Sequence, residues 1–344
     1  MSGRRAVTAL DVARAAGVSR SAVSRTFTEG ASVSEKTRQS VLEAALRLGY
    51  SPNAIARSLI TQRSRMVGLV IGELTNPFFA EVLETFSEKL QNVGLRVLLF
   101  SIARVHDIDD ALPALLQYQV DGVIITSAVM SSEMARKCAE AGKPVVLFNR
   151  NVRKGTSNYV SSDNRDGGRV VADFLVESGH RRIAFVAGTE ETSTSVDRER
   201  GFTRQLKKHG LDRPLRDCGN FTYEGGAEAA RRLLSAAKRP DAIFCADDVM
   251  ALGVIDVARK EFSLRIPEDL SVVGFDDIPA SGWPAYDLTT VRQRIEPMVD
   301  RAVEILLARI EQPDLPSEAH LVKGTLVTRG SARQPETRLR RAAG

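Results

Sequence analysis

At 344 residues, with 43% hydrophobic and 26% charged side chains, the chain is too long for one ordinary core and has the make-up of two or three globular domains. It contains no apolar run of the roughly eighteen residues that a membrane span needs, no apolar stretch after Arg4 and Arg5 to act as a secretory leader, and no metal-like Cys/His spacing. Its three scattered cysteines (Cys138, Cys218 and Cys245) suit a reducing cytosol better than a disulfide framework.

The net charge of +5 is unevenly placed. Residues 1–63 hold ten Lys/Arg against four acids, so that end carries +6 and the remainder −1. Only the amino-terminal end is therefore suited to a polyanion. A solvated basic tail would carry the same charge, and the apolar pattern decides between the two.

Thr8 is placed to cap a first helix reaching about residue 15, with Leu10, Val12 and Ala13 as its apolar positions. Gly17 supplies a left-handed turn, Ser19 a second cap, and residues 20–27 a second helix. The spacing Ala13, Gly17, Val23 is that of a helix-turn-helix: a small residue lets two helices cross closely, and a β-branched residue packs between them. Arg20, Ser21, Ser24 and Arg25 are left on the exposed side of the second helix, where a major-groove reader needs short polar groups and arginine. A third helix is expected over 34–48, beginning at Ser34 and stopped by Gly49, with Val41, Ala44, Ala45 and Leu48 buried. Residues 53–60 read as a helix too short to be stable alone, in which Leu59 is suited to wedge a minor-groove base step.

The segments 7–13, 17–19, 23–25 and 50–53 resemble the head of the lactose-repressor/galactose-repressor (LacI-GalR) family. That resemblance implies that Arg20, Ser21 and Arg25 are the principal base readers, that Leu59 is the minor-groove wedge, and that Ala56 lets two hinge helices pack closely. With Thr8, Ser19, Ser24, Thr28, Ser34, Tyr50 and Asn53 these make up the expected DNA-facing set. Ala22 stands where the family usually has threonine, and Thr28 where asparagine is usual.

From residue 66 the pattern changes to apolar runs suited to buried parallel strands, at 66–71, 96–100, 122–125, 145–148, 183–186, 242–245 and 272–275. Helical stretches at 78–92, 133–141, 167–178, 225–236 and 249–259 separate them, which reads as a doubly wound α/β body with too many strands for one sheet. The family resemblance extends here through 74–81, 163–167, 178–184, 198–202 and 274–277. It implies a two-lobed, periplasmic-binding-protein-like α/β body with lobe crossings near 163, 290 and 323. The expected organisation is therefore an all-α helix-turn-helix head (1–63, hinge about 53–60), an effector-binding and dimerising body (64–330), and a basic, disordered tail (331–344). Within the body, 66–163 with 291–323 form one lobe, and 164–290 with 324–330 the other.

Ligands bind open α/β sheets just beyond the carboxyl ends of strands. The candidates there are Asp163, Asp166, Asp247, Asp276 and Arg198, which can bond sugar hydroxyls, and Phe78, Phe79 and Phe221, which offer flat apolar faces. Phe78 and Phe79 are adjacent, so at most one is expected to face the ligand. Asp248 and Asp277 read equally well as caps. No G-x-S-x-G elbow, Walker loop or H-E-x-x-H occurs, and His180 reads as part of a helix terminus rather than a base. The expected protein is a cytoplasmic, non-enzymatic repressor without cofactor. Its partners are a double-stranded DNA operator, a sugar-like effector and, because the tail lacks leucine heptads, a single second copy of itself. The rival reading is a plain solute-binding protein.

Overall fold

The computed structural model describes residues 7–28, 30–51, 63–72, 74–102, 108–126, 137–138, 140–150, 157–190 and 192–335. The chain forms two compact units, Met1–Ser64 and Arg65–Gly344.

The first unit is built from α1 (Ala9–Ala16), α2 (Arg20–Thr26) and α3 (Glu35–Leu48). Thr8 and Asp11 make a reciprocal capping box at the start of α1: the Thr8 N–H donates to Asp11 Oδ2 at 2.9 Å, and Thr8 Oγ1 accepts from the Asp11 N–H. Ser19 and Ser34 cap α2 and α3 with their hydroxyls. Gly17 and Gly49 close α1 and α3 at φ of 66°, a conformation glycine adopts without a Cβ clash. Val12, Ala13, Val23, Val41, Ala44 and Ala45 form the core. Leu10 does not join it: it is 45% exposed, because the stripe that reaches α2 and α3 runs through Val12 and Ala13. Two side chains of α3 reach back and occupy terminal carbonyls, Arg38 that of Thr26 and Ser40 that of Ala16.

The second unit contains two six-stranded sheets. The first comprises β1 (Met66–Gly72), β2 (Arg96–Ile102), β3 (Gly122–Ile125), β4 (Val145–Phe148), β5 (Asn158–Ser162) and β11 (Ala319–Val322), in the order β11-β5-β4-β3-β1-β2 and parallel throughout. Its helices are α4 (Pro77–Asn92), α5 (Ile108–Gln117) and α10 (Ile295–Glu311). The second comprises β6 (Ile183–Ala187), β7 (Leu215–Cys218), β8 (Ala242–Cys245), β9 (Ser271–Asp276), β10 (Thr289–Arg292) and β12 (Thr325–Val327), in the order β12-β10-β9-β8-β6-β7 with only β12 antiparallel. Its helices are α6 (Asn164–Glu177), α7 (Ser193–Lys208), α8 (Tyr223–Leu234) and α9 (Asp248–Lys260). The chain passes between the sheets after β5, β10 and β11.

All seven expected strands are present. The other five, β5, β7, β10, β11 and β12, lack a continuous apolar run and escaped the pattern. The helix expected at 133–141 falls largely outside the described residues, as does the hinge with Asn53, Ala56 and Leu59. The expected disorder from residue 331 does not begin there. Ser331 is fully buried, its hydroxyl donating to the Val272 carbonyl at 2.6 Å and accepting the Thr289 N–H at 2.8 Å. Arg333 then reaches His180 Nδ1 at 2.8 Å. The segment supplies bonds that the strand ends of β9 and β10 would otherwise lack.

Candidate DNA-reading helix and interlobe cleft

On the head, α2 presents Arg20, Ser21, Ser24 and Arg25 to solvent while Ala22, Val23 and Thr26 face inward. Ser21 Oγ lies 2.9 Å from Ser19 Oγ, and Thr28 Oγ1 donates to the Ser24 carbonyl at 2.9 Å. Tyr50 packs its ring against Phe27 at 5.9 Å between centroids. The expected helix thus has two guanidinium groups and two short hydroxyls on its open side. Ala22, in the position where threonine is usual, is only 8% exposed.

In the body, one cavity lies between the lobes and encloses about 20 Å³, roughly the room one water needs. Asn76, Phe78 and Phe79 line it from the start of α4, and Asn149 and Arg150 from the end of β4. The other lobe contributes Thr194 and Arg198 from α7, Phe221 from the loop after β7, Asp247 before α9, and Asp276 at the end of β9. Both Phe78 and Phe79 border the space, edge to face at 5.3 Å, contrary to the expectation that adjacent residues could not share it. The lobes are joined directly across the cleft: Asn76 Nδ2 donates to Asp247 Oδ2 at 3.3 Å, and Arg150 donates to the Thr194 hydroxyl.

Close helix packing places Arg198. A Cβ on Gly168 of α6 would lie 2.2 Å from the Arg198 carbonyl oxygen, and one on Gly201 of α7 would lie 2.1 Å from that of Arg165. Only glycine permits this approach. The Arg198 side chain is almost fully buried, stacks at 3.7 Å over the Phe275 ring, donates from Nε to Asn164 Oδ1 at 2.8 Å, and donates to the Ala246 carbonyl. Its remaining nitrogen lies 3.5 Å from Asp276 Oδ1, which also accepts from Gln293 Nε2 at 2.7 Å.

Burial dominates the electrostatics. It pushes the Asp276 carboxyl up to about 7 against the pull of Arg198, and raises Asp247 well above the ordinary carboxylate range, with Asp276 adding repulsion. Burial also lowers Arg198, opposed by Asp276. Burial and mutual repulsion thus act together against two charges on this pair, and the cleft offers both donors and acceptors. Asn149 Oδ1 and Gln293 Oε1 are buried acceptors with no partner among the described residues.

Of the eight expected cleft residues, Phe78, Phe79, Arg198, Phe221, Asp247 and Asp276 come together. Asp163 and Asp166 do not. Asp163 caps α6 by accepting the Asp166 N–H at 3.0 Å, and Asp166 accepts from Arg169 Nε at 2.9 Å. Asp248 and Asp277 are structural: Asp248 accepts from the Ile278 N–H, Ser281 and Thr290, and Asp277 pairs with Arg292 and Arg329. Asn76, Asn149, Arg150 and Thr194 were missed. The first three sit beyond the carboxyl ends of strands, where the same rule that found Asp276 would have found them; nothing in the sequence marks Thr194.

Family models match residues 8–53 as the head of the bacterial regulatory proteins, lacI family, and residues 172–332 as a periplasmic binding protein-like domain. The chain is 36% identical over 337 residues to the HTH-type transcriptional regulator CelR of Thermobifida fusca, covering 94% of this chain and 98% of that protein. A solved CelR–cellobiose complex has a TM-score of 0.73 at 32% identity, covering 95% of this chain and 100% of that one. The lac repressor dimer bound to operator and the anti-inducer ONPF has a TM-score of 0.86 at 27% identity, covering 95% and 99%. The chain belongs to the lacI family of bacterial regulatory proteins.

Proposed function

We propose that this regulator binds a near-palindromic operator as a homodimer, and that a small sugar-like effector held between the lobes of the body controls that binding. The observation that carries the reading is the exposed face of α2. Arg20, Ser21, Ser24 and Arg25 stand on a helix anchored by its opposite side, which is how a recognition helix presents side chains to base edges. The cleft supports the effector half. Its mixture of carboxylates, arginines, amides and phenylalanine faces suits a polyhydroxylated ring, and the likeness to a cellobiose-binding regulator points the same way.

Effector binding acts through lobe geometry. A ligand that bonds better to one lobe arrangement shifts the population toward it, and a coupling of about 1–3 kcal/mol changes operator affinity roughly 5–150-fold. The cleft groups serve in binding rather than turnover, and the protein works in the cytosol beside its DNA. No helix among the described residues is long and apolar enough to cross a membrane.

Footprinting of the full chain on genomic fragments tests the DNA reading: protection of two half-sites related by a dyad is expected, and sequence-independent binding would refute it. A thermal-shift series with cellobiose, ribose and related sugars tests the effector reading, since a ligand of the folded state raises the melting temperature.

A further inference from the structure

Asp247 and Asp276 face the same enclosed space from neighbouring strand ends, and the bond that joins Asp247 to the other lobe comes from Asn76, a neutral amide. We propose that closing the cleft over this carboxylate pair takes up one proton, so that Asp247 ties the open–closed balance of the body, and through it effector control, to pH. The inference rests on the cleft being the regulatory site.

The charged and titratable groups around the pair decide the matter. Arg198 faces it from α7, Arg150 from the end of β4, Asp248 from the first turn of α9, and Cys245 from β8. Cys245 is neutral, its thiol pushed upward by burial. The phenylalanines add no charge. Two arginines thus stand against three carboxylates, and a single proton balances them. Asp248 is the wrong place for it, because three donors already satisfy its oxygens. Arg198 cannot neutralise both remaining carboxylates, since two of its nitrogens are held by Asn164 and the Ala246 carbonyl. The proton therefore falls to Asp247 or Asp276.

Opening the lobes breaks the Asn76–Asp247 and Arg150–Thr194 bonds and admits water to both carboxylates. Hydration favours their ionised forms, and the proton is released. The reverse step needs a proton from solvent, so the closed form gains as pH falls. One linked proton changes the closed-to-open ratio by up to about tenfold per pH unit between the open-state and closed-state values. An asparagine at 247 removes the device while still accepting the Met250 N–H that the Asp247 carboxylate accepts at 2.9 Å.

The test uses the full chain without any sugar. Spin labels on cysteines introduced at Gln91 and Arg204, one per lobe, with Cys218→Ser, report interlobe distances from pH 5 to pH 8. The native cleft is expected to lose closed population at least tenfold over that range, and Asp247→Asn less than about twofold. A pH-independent distance distribution in the native cleft, or an equal response in Asp247→Asn, overturns the proposal. No effector enters the experiment, so failure to find a binding sugar bears on the effector reading and not on this one.

Discussion

Arg25 lies near the end of α2 on its exposed side, where it can span the edge of a guanine with two parallel donors. Arg25→Ala is expected to relax discrimination at one base position per half-site at a cost of about 1–3 kcal/mol, read by competition binding to a library of operator variants. An equal loss on every sequence would mean that the residue touches only phosphate. Asp276 makes the complementary case in the body. Asp276→Asn removes the counter-charge nearest Arg198 and is expected to weaken sugar binding by calorimetry. Both residues stood out in the sequence because each follows a simple positional rule, the exposed side of a capped helix after a tight turn or the end of a parallel strand. Asp163 and Asp166 obey much the same rule and still missed the cleft. An aspartate at a helix start competes between capping its own backbone and facing a ligand, and spacing alone does not decide which wins.

At the scale of elements, the crossing of α6 and α7 sets where Arg198 stands. Gly168→Ala would put a methyl 2.2 Å from the Arg198 carbonyl oxygen, backbone that cannot rotate away. The two helices must separate, at an expected cost of about 1–3 kcal/mol in denaturant unfolding, together with weaker sugar binding because Arg198 moves with α7. Gly17→Ala is the contrast: nothing lies within 4 Å of its Cβ, and only the φ of 66° opposes it. It should cost less, about 1 kcal/mol, without touching the cleft. Sequence reading found the head's three helices because each advertises its start with a side-chain cap. It passed over α7, whose sixteen residues include only Val196, Phe202 and Leu206 as large apolar groups. That polarity has a physical origin, since one side of α7 faces the cleft and carries Thr194 and Arg198 where an ordinary helix would carry leucine. The five unread strands share the same cause in milder form. They are short: β7, β11 and β12 lie at sheet edges, and β5 and β10 carry polar side chains that bond to neighbouring segments.

For the molecule as a whole, buried acids give stability a definite pH dependence. Burial raises Asp247, Asp248 and Asp276 in the folded state, Asp276 to about 7, while unfolding returns them to the ordinary value near 3.8. The folded protein then holds more protons than the unfolded chain, so its stability falls as pH rises from about 4 through about 7. Asp173 and Asp241 act in the opposite sense. Burial would raise them, but hydrogen bonds outweigh it, from His209 and Gln205 for Asp173, and from His180 and the Arg182 and Arg181 backbone for Asp241. Their contribution is present above about 4 and is lost as pH falls through their lowered folded values. A melting temperature that peaks in mildly acid solution is the expected result, measured by calorimetry from pH 3 to pH 8. Two substitutions separate the carboxylates. Asp247→Asn removes a repelled, desolvated charge and keeps the helix cap, so it should raise the melting temperature at pH 8 and change it little at pH 5. Asp248→Asn sets an amide against three donors, from Ile278, Ser281 and Thr290, and should lower stability by about 1–3 kcal/mol at both pH values. If Asp247→Asn destabilised the protein equally at both, its carboxylate would be acting as a fixed partner to Arg198 or Asn76, and the decline above pH 4 would have to originate at Asp248 and Asp276.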